Sequence, residues 1–439
     1  MARWTFAALY AASLVVPAII WNNNHTALTG LDSAGLKLAW CRLAGLWAVI
    51  VVLWQLLFVS RARKMEQTFG FDRLTRFHHY NGFFAVLLLL FHGSLAIMGH
   101  AAKADLTNME QITDFWKIWK YMQAAMSGQA LFLMVTLFSI GIVRRRISYE
   151  TWHWNHLAGY LALALAFGHQ IFHGRDLVDN AGQRYAWIAI QLAAVAILIW
   201  GRAVLPALRS FRHRFRVEKL VKESDDITSV YIAAEGLDSL APRGGQFVMV
   251  RFLAPGFWSQ SHPFSLSMPP RNNTLRLTIK SLGDFTARIP NLVPGTRVMI
   301  DGPHGIFTAR RATGQKVLLI AGGIGITPLR AIVEDLLADK RQVTLLYSAR
   351  NEKGLALRQE LESLTANPDF RLVLILSHDE TWAGEKGKLD EEKIARLVSN
   401  VAEHEVFLCG PPPMMSATRK TLEKLGVHPG KIFTEEFAL

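Results

Sequence analysis

Long apolar runs fill the chain up to about Leu208; beyond it, charged residues recur regularly between short apolar stretches. A helix that crosses a bilayer needs about 20 mostly apolar residues. Six segments come near that length: 4–21, 38–60, 79–99, 128–143, 154–172 and 185–205. The pattern predicts a six-helix transmembrane bundle over residues 1–210, with the fourth segment the shortest. The first segment ends Pro-Ala-Ile-Ile-Trp, without the small-residue cleavage pattern of a signal peptide, and is read as a retained helix. From about Phe215 to Thr308 short β-type runs bounded by turn residues, such as 246–252 and 274–280, predict a small antiparallel β-barrel over 211–310. From Lys316 onward apolar strands at 317–320, 343–347, 371–376 and 406–408 alternate with helix-like runs, which predicts a doubly wound α/β domain over 311–439.

Charge adds an orientation to this outline. The formal net charge is +13 and 51% of residues are hydrophobic. Much of the basic excess lies beside apolar runs, at Arg61, Arg63 and Lys64, at Arg144 to Arg146, and at Arg209, Arg212, Arg214 and Arg216. Lys and Arg at membrane ends mark the cytoplasmic side and meet anionic headgroups. This placement excludes a nucleic-acid partner and implies a lipid bilayer, the cell membrane. All three clusters fall after even-numbered spans, so the N-terminus and the C-terminal half are both expected in the cytoplasm. The only two cysteines, Cys41 and Cys409, form neither an iron–sulfur nor a zinc site by themselves.

Histidine is costly inside a bilayer unless it has a partner or a function. The third segment and the residue just before it carry His78 and His92, 14 residues apart; the fifth carries His156 and His169, 13 apart. At 1.5 Å per residue each pair spans about 20 Å. The two segments run parallel in the six-helix topology, so His78 can face His156 and His92 can face His169. Each facing pair could hold one haem iron, since neutral imidazole is an axial haem ligand and bundle interiors hold such cofactors. The other reading is four packing or interfacial histidines. A step of 14 returns to nearly the same helix face and a step of 13 does not, so the fifth helix is expected to be irregular or its ligands to approach at different angles. His79, His153 and His173 are neighbouring candidates.

The soluble half adds two sets of residues. His262-Pro263-Phe264-Ser265 places an aromatic ring and a hydroxyl on an extended strand, which suits a flavin ring and its polar edge. Lys280, Gly283 and Thr286 supply a cation, a turn glycine and a hydroxyl that suit a pyrophosphate. Ordinary strand and turn residues would read the same way. Gly322, Gly323, Gly325, Thr327 and Pro328 lie between a strand and a helix, where glycines admit a phosphate and the helix start stabilises its charge. Cys409, Gly410 and Pro411 follow the last apolar strand at the same end of the sheet. Arg350 follows the second strand, as a 2′-phosphate partner that favours NADPH over NADH or as a solvated surface arginine.

With these motifs together, the second half resembles the ferredoxin–NADP reductase fold. The first half resembles the ferric-reductase transmembrane domain, through Asp72-Arg-Leu-Thr-Arg-Phe-His78 with Gly82, and through Tyr149-Glu-Thr-Trp152 leading to His156. The combination is similar to the NADPH oxidase and ferric-reductase family of compact prokaryotic type. That resemblance implies FAD, NADPH (with NADH as the alternative donor) and two b haems. His78 and His156 would serve the inner haem, and His92 and His169 the outer. His262, Phe264 and Ser265 would line the isoalloxazine, and Lys280, Gly283 and Thr286 would hold the FAD pyrophosphate. The glycine turn would receive the dinucleotide, with Cys409 and Gly410 beside the nicotinamide and Phe437 stacked on the flavin. The implied activity is electron transfer from cytoplasmic NADPH through FAD and the haems to dioxygen outside, giving superoxide. A ferric chelate is the alternative acceptor, and a His-lined ion transporter with a nucleotide-binding regulatory domain is a third reading. Superoxide-forming relatives often carry a further His where this chain has Ala96. No obligatory protein partner is evident.

Overall fold

The computed structural model describes residues 2–23, 28 and 30–436. The chain divides into two compact units, Met1–Gly201 and Arg202–Leu439.

The first unit is helical: α1 (Ala2–Asn23), α2 (Ser33–Val59), α3 (Phe71–Ala104), α4 (Met122–Ser139), α5 (Tyr149–His173) and α6 (Ala181–Ile199). Side chains start several of them. The Asp32 carboxylate accepts from the Gly35 amide at 2.7 Å before α2, and the Ser148 hydroxyl accepts from Thr151 at 3.1 Å before α5. Each cap satisfies a donor the first turn leaves open. Half of the apolar window of α2 is buried, against 6–22% in the other apolar helices, so α2 is the central element. Polar side chains tie its neighbours to it: Asn81 of α3 donates to the Val51 carbonyl at 2.8 Å and accepts from Tyr10 of α1 at 2.8 Å. Gly128 brings α4 so close to α5 that a β-carbon there would lie 2.8 Å from the Ala162 carbonyl, the small-residue packing that membrane helices use.

Among the described residues, five helical runs are long and apolar enough to cross a membrane: Trp4–Asn22, Ser33–Val59, Phe71–Ala104, Met122–Ser139 and Ala181–His213. This differs from the expected six. The missing one is α5, whose 25 residues include Glu150, Asn155, Gln170 and four histidines, and these lower its hydropathy. The fourth span also shifts: α4 ends at Ser139, Ile140 is extended, and a short helix, Gly141–Arg144, follows. The last run passes through a π-helical turn, Trp200–Val204, into α7 (Leu205–His213).

The second unit begins with six antiparallel strands: β1 (Arg216–Lys222), β2 (Ile227–Ala233), β3 (Phe247–Phe252), β4 (His262–Ser265), β5 (Thr274–Lys280) and β6 (Val298–His304). They form two sheets, β1-β2-β5 and β4-β3-β6. Single bridges join the sheets at Leu266↔Leu277 and Arg216↔Arg297. Alternating residues such as Val230, Ile232, Val250, Phe252, Leu275 and Leu277 fill the interior. Six parallel strands follow in the order β10-β9-β8-β7-β11-β12: β7 (Lys316–Gly322), β8 (Gln342–Ala349), β9 (Phe370–Leu376), β10 (Glu385–Lys386), β11 (Glu405–Cys409) and β12 (Ile432–Glu435). Apolar clusters cover both faces of this sheet, as a parallel sheet requires. Its helices include α8 (Ile326–Ala338), α9 (Arg358–Leu364) and α10 (Pro412–Lys424).

A charged cluster ties the antiparallel strands to the parallel domain. Arg276 of β5 is 2% exposed and donates to Glu360 of α9. Arg330 of α8, 5% exposed, pairs with Glu360 at 2.8 Å and with Glu334, which also meets Arg271 at 3.2 Å. Burial works to raise the Glu360 carboxyl, but the hydrogen bonds and charges of Arg276 and Arg330 outweigh it and hold the carboxyl below its ordinary range. Glu360→Gln leaves two buried guanidinium groups without their shared counter-charge. It is expected to lower unfolding stability in a denaturant titration of the solubilised protein, by less than the roughly 3–5 kcal/mol lost when a fully buried pair is broken, because Glu360 is about one-third exposed.

Asp335 of α8 behaves oppositely. Burial first, then the nearby carboxylates of Glu334 and Asp339, raise it from 3.8 to about 6. A carboxyl raised by folding stabilises the fold while protonated, and that contribution is lost as pH rises through the folded value. Asp335→Asn is therefore expected to melt at a higher temperature than the parent at pH 8. The advantage should shrink below pH 6 and vanish near pH 4; a constant difference across that range would contradict the assignment.

Candidate functional site

Inside the first unit, α3 and α5 bring their histidines together in two pairs. The ring centres of His78 and His156 are 5.8 Å apart, and those of His92 and His169 are 6.1 Å apart. Two metal–imidazole bonds of about 2 Å each, plus a ring radius on either side, come to about 6 Å. Both pairs therefore match the separation at which two imidazoles bind one iron from opposite faces. The rings are inclined at 61° in the first pair and 42° in the second. The helix α5 is continuous from Tyr149 to His173, so the 13-residue step is absorbed in ring approach and not in a helix break.

Hydrogen bonding decides which ring nitrogen remains available. His92 Nδ1 donates to the Cys41 carbonyl at 2.8 Å, and His78 Nδ1 to the Gln55 carbonyl at 3.2 Å. The Ser139 hydroxyl donates to the Val135 carbonyl at 2.8 Å, so its oxygen is left to accept from His156 Nδ1 at 3.3 Å. In these three rings Nδ1 is the nitrogen engaged by a neighbouring helix, an arrangement that metal-ligating histidines commonly share. His169 Nδ1 is buried and has no well-aligned hydrogen bond among the described residues. The donor set and spacing fit two bis-imidazole haem sites.

A cavity of about 870 Å³ surrounds the second pair, lined by His92, His169, Gly45, Gly93, Gly128 and Ala166 among others. That volume lies in the range of cofactor pockets, and the small residues make the room. At the helix ends the lining becomes polar, with Arg42, Lys103, Arg175, His100 and His173. Arg42 pairs with the buried Asp176 at 3.6 Å. The neighbouring histidines are engaged elsewhere. His79 is exposed with its ring against Phe83, His153 lies by Trp154, and His173 Nε2 contacts the Lys120 carbonyl at 2.6 Å.

In the antiparallel strands, β4 pairs with β3 from Val250↔His262 to Phe247↔Ser265. Alternation along β4 puts His262 and Phe264 on one face. Both rings gather on Phe285, at 4.0 Å and 6.4 Å between centres. His262 Nε2 is also 3.0 Å from Gln260 Oε1. Pro263 is exposed and Ser265 buried. Lys280 pairs with Asp226 at 3.2 Å. The Thr286 hydroxyl accepts from the amides of Leu282 and Gly283, at 2.8 and 3.1 Å, and donates to the Gly283 carbonyl. Two successive amides converging on one oxygen is an arrangement that also suits an anion.

In the parallel sheet the chain reverses direction beside β7, with β8 on one side and β11 on the other. Ligands sit beyond the strand ends at such a point. The turn after β7 holds Gly322, Gly323 and Gly325; the turn after β11 holds Cys409, Gly410 and Pro411. A β-carbon at Gly325 would lie 2.3 Å from the Cys409 carbonyl, and one at Gly322 would lie 2.4 Å from Met414 Sδ and 2.8 Å from Pro411 Cδ. These two glycines let the turns interlock. Gly323, at φ +53° with open space around it, is the glycine that presents backbone outward. Thr327 is buried and its hydroxyl donates to the Ile324 carbonyl at 3.0 Å, while buried Pro328 sits in the first turn of α8. Arg350 is exposed just beyond β8. Phe437 lies outside the described residues; β12 ends at Glu435, in register with Cys409.

Sequence reasoning missed Ser139, the carbonyls of Cys41 and Gln55, and Phe285 beneath His262. Backbone acceptors leave no residue-type signal, and Phe285 reads as core.

Comparison with known proteins divides the chain in the same order. Residues 44–167 match a ferric reductase like transmembrane component, 214–308 an FAD-binding domain, and 319–420 an oxidoreductase NAD-binding domain. The glycine betaine monooxygenase reductase subunit of Chromohalobacter salexigens is 29% identical over 52% of this chain and 64% of its own length. The reductase component DmpP of phenol 2-monooxygenase from a Pseudomonas species is 33% identical over 51% and 65%. The flavohemoprotein of Bacillus subtilis is 26% identical over 51% and 58%. The chain thus spans about three-fifths of the length of these curated relatives. Among solved structures, flavohemoglobin from Malassezia yamatoensis aligns with a TM-score of 0.48 at 21% identity, covering 75% of this chain and 91% of that one. With its long apolar helices and these three matches, the chain is a multi-pass membrane protein in which a region similar to a ferric reductase like transmembrane component precedes regions similar to FAD-binding and oxidoreductase NAD-binding domains.

Proposed function

We propose that the protein moves electrons from cytoplasmic NADPH through FAD and two b haems to dioxygen on the other side of the membrane, releasing superoxide. The observation that carries the reading is the pair of facing imidazole couples at 5.8 and 6.1 Å, three of whose rings already have Nδ1 committed. Bound haem and flavin supply the redox chemistry, two-electron on the nicotinamide side and one-electron on the haem side. The chain supplies the rest. His78 and His156 hold one haem, His92 and His169 the other, and α5 serves as the sixth span despite its polar residues. His262, Phe264 and Ser265 line the flavin ring; Lys280, Gly283 and Thr286 take the pyrophosphate. The interlocked turns at Gly322–Gly325 and Cys409–Pro411 seat the dinucleotide, with Thr327 and Pro328 shaping the helix start and Arg350 available to a 2′-phosphate. Phe437 is assigned to the flavin face. The division is a membrane domain over 1–210, a flavin domain over 211–310 and a nucleotide domain over 311–439. The basic clusters support a cytoplasmic N-terminus and cytoplasmic dehydrogenase domains.

The cations at the cavity's polar end support an acceptor that is anionic or becomes so. Superoxide formed from dioxygen meets that description, and so does a ferric chelate, the second reading. Purified protein is expected to hold about two haems per chain by pyridine haemochrome assay, and His92→Ala or His169→Ala about one. Under NADPH in air, dismutase-sensitive cytochrome c reduction would support the oxidase. Reduced haem with ferric-chelate reduction and little superoxide would move the assignment to the chelate. Protein that binds FAD and NADPH yet holds no haem would sink both.

Gly325→Ala forces the two turns apart. If overpacking of about 1–3 kcal/mol falls on the nucleotide-bound arrangement of the turns, NADPH affinity is expected to drop by about 5- to 150-fold. Stopped-flow flavin reduction should show this as a raised half-saturation concentration, with FAD content retained.

A further inference from the structure

His78 and His92 of α3 are held by one neighbouring helix in one repeated way. His92 donates to the carbonyl of Cys41, and His78 to the carbonyl of Gln55. Cys41 and Gln55 are 14 residues apart on α2, the same interval that separates His78 from His92 on the antiparallel α3. Both contacts therefore have the same register. A helix carbonyl keeps a second lone pair after its own i→i+4 bond, but it is usually shielded, because each β-carbon tilts back over the preceding turn. The residue that would shield the Cys41 carbonyl is residue 45, and it is glycine. A β-carbon at Gly45 would lie 2.8 Å from both Cε1 and Nδ1 of His92. At the other level the relief comes from α3: a β-carbon at Gly82 would meet only the mobile end of the Gln55 side chain, at 2.6 Å. Gly45 is the stricter of the two positions, since His92 is confined between the Cys41 carbonyl and His169.

We propose that α2 orients both α3 histidines through two backbone carbonyls 14 residues apart, and that Gly45 is the opening through which the His92 ring reaches its carbonyl. Gly45 is thus a positioning residue for the His92–His169 haem, an inference that rests on the haem assignment above. It touches neither iron nor acceptor. It acts by fixing the ring whose Nε2 must face His169, and it leaves the His78–His156 site alone.

The test is Gly45→Ala in the full-length, solubilised protein, with Gly159→Ala as control, where the added carbon would approach only Val135 at 4.0 Å. Loss of a second-shell contact typically weakens metal affinity by about 10–100-fold. The expected result is a fall in haem from about two to about one per chain, with the midpoint potential and low-spin EPR signal of the remaining haem unchanged and Gly159→Ala like the parent. Two haems in Gly45→Ala with both parental EPR signals and potentials would overturn the inference and leave the haem reading standing. A parent protein without haem would overturn that reading itself. Should Gly45→Ala not fold, the double variant His92→Ala/Gly45→Ala decides the matter. A soluble one-haem protein resembling His92→Ala locates the clash at the His92 ring and supports the inference. Failure of the double variant, where His92→Ala alone folds, would place the clash elsewhere and overturn it.

Discussion

An imidazole inside an apolar helix bundle has two nitrogens to satisfy. In the membrane unit this requirement governs what the neighbouring helices must provide. One nitrogen of His78, His92 and His156 is met by a carbonyl or hydroxyl of an adjacent helix, and each ring lies about 6 Å from that of the opposite histidine. The central position of α2, the close approach of α3 to it, and the glycines and alanines around the larger cavity are all consistent with that division of labour. A bundle of larger side chains would bury more apolar surface, but it would close the space between the histidines.

The second unit solves a different problem, that of joining two sheets of opposite habit. The antiparallel strands enclose their own core, and the parallel sheet needs helices on both faces. A partly buried charged cluster around Arg276, Arg330 and Glu360 connects them. Paired buried charges of this kind add little net stability and are sensitive to geometry. They suit a junction whose relative placement matters more than its strength, as it would where a nicotinamide bound on one side must meet a flavin bound on the other.

Much of this was legible in the residue pattern because it depends on period. Spacings of 14 and 13 along two parallel helices pair the four histidines in the sequence itself, and the shift from apolar runs to short strands at about Leu208 lies close to the division of the chain into two units. What escaped reading depends on acceptors and contacts that carry no residue-type signature. The Cys41 and Gln55 carbonyls belong to any residue type, and the polar content of α5 depresses its hydropathy through the same histidines that make it informative. Gly322 and Gly325 illustrate the limit well. A glycine-rich turn after a strand suggests a phosphate, but their nearest neighbours are Met414, Pro411 and the Cys409 carbonyl.

That interlocking has a bearing on assembly. The turn after β7 takes its shape only when the turn after β11 is against it, and the two strands are far apart in sequence although adjacent in the sheet. A nascent chain that has made β7, β8 and β9 therefore has the glycine sequence but not the finished seat. If nucleotide is seated between these turns as proposed, it can stabilise this domain only once the late strands have docked, and ligand binding would then act on completed folding and not on its early stages.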